Sequence, residues 1–255
     1  MLRVFSGLIA LSFAAALQPA PAQAAPDEVA FALFVAGDYR AAAQNAADAG
    51  GAENLALAAR ALNAEAYLMA DDGDARKLAK DALEFAEDAI EADAMLVEGH
   101  LQAAISLAQR GARMAALRAF FLGIAGRARE KLDEALAREP ENAWALSSSG
   151  AWHLEVARRV GEGRFGSDPA LGHSQFLAAR ANDPENLLIA YECALRLIAY
   201  GNPEWRADGL AALETVLTGE AKDAFELAIQ ERAQAFSDAL AAGPEAAERF
   251  IEAQP

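Results

Sequence analysis

With one cysteine, Cys193, in 255 residues, the chain has no internal disulfide, so covalent cross-linking adds nothing to its stability. β-Branched residues are also scarce. Val, Ile and Thr total 17, too few to furnish the strands of a sheet protein. The three histidines, His100, His153 and His173, form no H-E-x-x-H or H-x-x-E-H pattern, so a zinc site lacks its ligands. Basic residues number 22 against 38 acidic ones. The net charge of −16 argues against nucleic acid and against anionic membrane surfaces as main partners. No stretch approaches the roughly 18–20 consecutive apolar residues of a membrane-spanning helix.

The first residues have the order of a secretory leader. Met1-Leu2-Arg3 gives a positive start, Gly7 to Leu17 is apolar or small, and Ala22-Gln23-Ala24 is an A-x-A cleavage site. No Cys follows that site, so a lipid anchor is not expected. Residues 1–24 are therefore read as a signal peptide and 25–255 as one helical repeat domain, periplasmic or secreted.

Ala, Leu and Glu dominate the remainder, and these are strong helix formers. An internal repeat organises them. Ala135-Leu136-Ala137-Arg138-Glu139-Pro140-Glu141-Asn142 aligns with Ala179-Arg180-Ala181-Asn182-Asp183-Pro184-Glu185-Asn186, and the frame reaches back to Ala94 and to Ala52-Glu53-Asn54. The spacing of about 44 residues marks a stacked architecture. Pro140 and Pro184 cannot continue a preceding helix, so each ends one hairpin before the next opens. Apolar periodicity predicts helices over 27–36, 38–49, 53–70, 75–92, 95–109, 112–138, 142–160, 169–182, 186–200, 204–217, 220–241 and 244–253. Asp168-Pro169, Asn202-Pro203 and Gly243-Pro244 each place a capping residue before a Pro at a first helical position.

Gly37-Asp38-Tyr39-Arg40-Ala41-Ala42 resembles the turn and second-helix opening of a tetratricopeptide repeat, in units longer than the usual 34 or so residues. Residues 75 to about 200 resemble the regulator of microtubule dynamics family and its bacterial relatives. That likeness rests on Arg127 to Leu136, Pro140, Gly150-Ala151-Trp152-His153-Leu154-Glu155-Val156-Ala157, Phe165 to Pro169 and the Phe176–Pro184 segment. It implies an all-α superhelix of antiparallel hairpins with a binding role. It brings no catalytic residue and no cofactor, and the microtubule partner is not carried over.

Ten basic residues fall within 55 positions: Arg110, Arg113, Arg118, Arg127, Arg129, Lys131, Arg138, Arg158, Arg159 and Arg164. Two readings stand. They pair with carboxylates at i, i+4 or on neighbouring helices, or they line a groove for an acidic peptide tail or an anionic small molecule, since the guanidinium fork suits carboxylate and phosphate. Trp144 and Trp152 lie eight residues apart on one helix. Trp152 suits the core of its repeat, and Trp144, near the helix start, suits a ligand face. The Gly-rich stretch 158–173 inserts a long loop. Gly161 to Gly166 follows a helix and not a strand, which removes the context of a phosphate loop. Cys193 sits in a helix as a small buried apolar residue. Ser147-Ser148-Ser149 is a close-packing stretch, and no nucleophile constellation emerges.

The expected function is therefore non-enzymatic: an exported scaffold binding a polypeptide through a concave face built from 95–109, 112–138 and 142–160. Arg118, Arg127, Trp144, Arg158 and Arg164 are the candidate contacts. The alternative is a periplasmic transporter-accessory protein holding a small anionic organic ligand, with Phe120-Phe121-Leu122 and the Gly-rich loop lining its pocket. The leader reading is directly testable. Expression of the full chain in a Gram-negative host should give periplasmic protein beginning at Ala25 by N-terminal sequencing. An uncleaved chain retained in the cytoplasm would overturn it.

Overall fold

The computed structural model of the chain describes residues 25–69, 72–114 and 122–254; the expected leader 1–24, Arg118, Phe120 and Phe121 lie outside them. The described residues form twelve α-helices and no strand. They are α1 (Glu28–Ala36), α2 (Tyr39–Ala49), α3 (Ala52–Leu68), α4 (Asp72–Ala92), α5 (Val97–Ala112), α6 (Ile124–Arg138), α7 (Ala143–Val160), α8 (Pro169–Asn182), α9 (Leu187–Tyr200), α10 (Arg206–Thr218), α11 (Ala224–Ala242) and α12 (Pro244–Glu252).

Side-chain caps set many of these boundaries. Asp27, Asn142, Asp168, Asn186 and Asp223 each accept a hydrogen bond from a first-turn backbone N–H, satisfying donors that the helix itself leaves open. Pro140 and Pro184 lie in the turns before α7 and α9. Asn142 and Asn186 are therefore equivalent N-caps in two successive repeats. The third Glu-Asn pair differs: Glu53-Asn54 lies inside α3, where Asn54 accepts from the Asp27 N–H at 2.7 Å and donates to the Gly50 carbonyl at 2.8 Å. Asn54 thus ties α3 to the start of α1 instead of opening a helix.

Two other expectations are corrected. The helix expected over 112–138 is interrupted: α5 ends at Ala112, and Gly123, at φ +61°, stands as the N-cap of a new helix. That left-handed conformation is one that glycine adopts without a steric penalty. Pro203 is not a first helical residue either. Asn202 Oδ1 accepts from the Glu204 N–H at 2.8 Å, forming a turn before α10 opens after Trp205. Asp168-Pro169 and Gly243-Pro244 do start helices as expected.

Consecutive helices pack against each other, and odd-numbered ones also meet: α1 with α3, α3 with α5, α5 with α7, α7 with α9, and α9 with α11. The series returns on itself, since α11 touches α1, where Phe225 meets Tyr39 edge-on at 6.4 Å. Helices α3 and α9 are buried on nearly every side, and the few polar residues they carry are therefore half-buried or buried. Alanine makes this possible. Ala58, Ala59, Ala61, Ala66, Ala79, Ala82, Ala86 and Ala89 are fully buried, and short side chains let backbones approach closely.

Helices α7 and α8 approach closely at two glycines. A Cβ added at Gly150 would lie 2.9 Å from the Gly172 carbonyl oxygen and 3.0 Å from Phe176 Cδ2; one at Gly172 would lie 2.9 Å from His153 Cβ. Gly150→Ala should therefore destabilise the protein by about 1–3 kcal/mol through overpacking. Gly126→Ala, in α6 with nothing within 4 Å of the added methyl, should be neutral or stabilising by up to about 1 kcal/mol. Thermal unfolding of the two variants checks this, and equal melting temperatures would contradict the packing account.

Candidate functional site

Helix α9 carries only two charged residues, Glu192 and Arg196, in an otherwise apolar sequence. They pair with each other, Arg196 Nε to Glu192 Oε2 at 2.9 Å, and their side chains are 11% and 13% exposed. Buried charges of this kind persist only with further partners. Arg196 also reaches Glu155 of α7 at 3.5 Å, and Tyr67 of α3 donates its hydroxyl proton to Glu192. Glu155 is surrounded by arginines, accepting from Arg158 at 2.9 Å and from Arg159. Arg158 extends the network to α12 through Glu252 Oε1 at 2.6 Å. Burial would raise the Glu155 pKa, but Arg196, Arg158 and Arg159 outweigh it and hold the carboxyl down at about 2. Burial and the neighbouring Glu192 raise the Tyr67 hydroxyl well above its usual range, so it serves as a donor.

Beside this network, an open cleft of about 720 Å³ lies between the C-terminal end of α7, the loop 161–168 and the turn after α9. Arg158 lies in its lining, and Glu162, Tyr200, Asn202 and Glu204 supply the polar walls. Tyr200 donates its hydroxyl to Glu162 and stacks on Trp205 at 5.4 Å, which stacks in turn on His173 at 4.8 Å. The His173 Nε2 lies 2.8 Å from Asp208 Oδ2. Tyr200 thus forms a wall of the cleft, with Trp205, His173 and Asp208 in series behind it. Burial and Glu162 push the Tyr200 hydroxyl up to about 12, which keeps it protonated and able to donate.

The loop facing that wall is held rigidly. Gly163 N–H donates to the Ser167 carbonyl at 3.1 Å, Ser167 N–H to Arg164 at 2.9 Å, and Asp168 N–H to His153 Nδ1 at 2.9 Å. From α6, Arg129 donates to the Gly166 carbonyl at 3.0 Å. Within this frame Phe165 adopts φ +53° and is 41% exposed, a conformation uncommon for a bulky residue and often met at functional positions.

The expected site residues do not converge. Arg127 pairs with Glu87 of α4 at 3.2 Å on an exposed face. Trp144 stands at the start of α7 and Arg158 near its end, about 21 Å apart along the helix. Arg164 lies exposed in the loop 161–168, whose Glu162 lines the cleft. Arg118 is outside the described residues, as are Phe120 and Phe121 of the expected small-ligand pocket. Of the ten clustered basic residues, Arg129, Arg138 and Arg159 pair with carboxylates at i, i+4, whereas Arg127 and Arg158 reach carboxylates on other helices. Trp152 is a core residue whose Nε1 donates to the Ala125 carbonyl at 3.0 Å. His153 is buried, and burial lowers its pKa, leaving it neutral to accept from Asp168. Cys193 is sealed in the core, where burial pushes its thiol up to about 12. Among the described residues, no three His, Cys, Asp or Glu side chains gather as for a metal ion. The ring ladder Tyr200–Trp205–His173 escapes sequence reasoning. Its one signal is the Gly201-Asn202-Pro203 turn between two aromatics.

The Glu155 carboxyl makes the network pH-dependent in a defined direction. Its folded pKa lies below the ordinary 4.5, so its stabilisation is complete above about pH 4.5 and is lost as pH falls towards 2. The difference corresponds to about 3 kcal/mol. Glu155→Gln should therefore melt well below wild type at pH 7, with the gap closing as the pH approaches 3. A gap of equal size at both pH values would show that the carboxylate charge is not what matters.

No protein-family model matches the chain, and no curated protein matches it.

Proposed function

We propose that the protein is an exported, non-catalytic scaffold of the tetratricopeptide type that binds a polypeptide. Two features support the array reading: the alternation of helix contacts, in which each odd-numbered helix meets the next as well as its own neighbours, and the N-caps Asn142 and Asn186 repeated in equivalent positions. The leader-like first residues support export.

The observation that carries the binding reading is the cleft between the loop 161–168 and the Tyr200–Glu204 turn. It is open, polar-walled and backed by stacked rings, and rigid walls of this kind reduce the ordering cost of capture. Its charge indicates what it takes. Glu162 and Glu204 line it, whereas Arg158 is already engaged by Glu155 and Glu252. A segment bearing amide or basic side chains fits better here than the acidic tail expected from the count of arginines.

Two substitutions test this. Tyr200→Ala removes a wall, and Glu204→Lys reverses an exposed charge; neither touches the Glu155 network. Co-purification from envelope extract should recover a defined partner with wild type and lose it with the double variant, and Glu204→Lys alone should weaken recovery at an unchanged melting temperature. Raising the salt concentration should weaken capture, since exposed charges are screened. Identical recovery by both proteins would sink the assignment of the cleft.

A further inference from the structure

We infer that Arg60, with Phe34 and Trp144, forms a binding site for a small organic carboxylate, separate from the cleft and independent of the polypeptide reading. Arg60 belongs to α3, the helix buried on nearly every side, and is itself only partly exposed. Its guanidinium lies over the ring of Phe34 from α1, 5.0 Å from the centroid, and over that of Trp144 from α7, 5.2 Å away. Ring contact satisfies the cation's charge in part but uses no hydrogen-bond acceptor, and guanidinium has five N–H donors to place.

Other inward arginines are occupied differently. Arg158 and Arg196 each hold carboxylates, and Arg113 donates to the carbonyls of Gln109 and Ala66. Among the described residues, no acceptor takes a hydrogen bond from the Arg60 side chain, and none of its nitrogens is sealed from solvent. Positions three and four away along α3 are Ala56, Leu57, Asn63 and Ala64, so its own helix offers no carboxylate. Glu65 is engaged by Arg40. Trp144 is the second residue of α7, which brings the positive end of a helix dipole close to the same place. In a chain of net charge −16, this is a local positive spot with donors to spare.

The flanking rings decide between anions. Phe34, only 4% exposed, backs the guanidinium from the core, and the half-buried Trp144 offers an apolar wall beside it, which suits the hydrocarbon body of a carboxylate better than a fully hydrated phosphate. The fork of Arg60 takes the carboxylate oxygens in its plane, while the indole flanks the rest.

Calorimetric titration of the mature protein with benzoate, succinate and pyruvate, and separately with inorganic phosphate at matched ionic strength, tests the site. At least one carboxylate should bind saturably and perturb tryptophan emission through Trp144. Arg60→Gln should weaken that binding about tenfold or more without shifting the melting temperature. Arg60→Lys keeps the charge and loses the fork, and should also bind more weakly. If Arg60→Gln fails to fold, the lysine variant alone decides the matter. Unchanged affinity in the variants, no saturable binding of any of the three carboxylates, or binding of phosphate alone would each overturn the proposal.

Discussion

The pairing of Arg196 with Glu192 and Glu155 is the constraint on which the middle of the molecule turns. It sits on the one helix, α9, that neighbours α7, α8, α10, α11 and α12 together. Two charges on so deeply buried a helix are tolerated only where their partners arrive from elsewhere at the correct height. Glu155 must come from α7 and the Tyr67 hydroxyl from α3. Sliding α9 by a turn would unseat Leu187, Ile189, Tyr191, Leu195 and Leu197, its large buried side chains. The same slide would part Glu155 from Arg196 and leave both charges buried, at a cost of several kcal/mol. The ion network thus reinforces the register that the large side chains of α9 set.

A second seam follows the same logic without charge. Asn63 of α3 donates to the Gln102 carbonyl and to its side-chain oxygen at 3.2 and 2.9 Å. It accepts from Ser106 at 3.0 Å, and its own carbonyl accepts from Gln109 at 3.0 Å. All four residues are buried. Helix α3 is therefore pinned to α5 by amides and to α9 by Tyr67, while alanine fills the space between. Packing brings the helices close, and polar groups reinforce where along their length they stop.

The difference between these two kinds of information explains what was legible in the sequence. Helices were readable because their signals are local: Pro140 and Pro184 as stops, Asn142 and Asn186 as caps, and Ala and Leu at helical spacing. The stretch 112–138 read as one helix because its only punctuation is two isolated glycines, Gly123 and Gly126, and an isolated glycine inside a helical pattern is ordinarily tolerated. The site was far less legible. The excess of arginine was plain, but Arg127 finds Glu87 forty positions away and Arg158 finds Glu252 at a distance of 94. No spacing rule reaches that far. Trp144 was singled out beside Trp152 for its place near a helix start, while the guanidinium that lies over its ring, that of Arg60, comes from α3.

The return of α11 onto α1 alters where a partner can be held. A row of hairpins that stays open presents its inward helices to a ligand, but here those faces meet one another: Tyr67 touches Phe225 and Glu192, and Arg232 lies over Tyr67 at 5.1 Å. The inward surface is largely spent on the protein's own contacts. On the proposed reading, what remains for recognition lies where hairpins turn, in loops whose backbone is locked by hydrogen bonds, and at inward positions whose charge the chain has not matched. The cleft beside Tyr200 is of the first sort and Arg60 of the second. Arg158 and Arg196, which hold the helices together, carry carboxylate partners, and the lack of one is the feature on which Arg60 is proposed as a binding group.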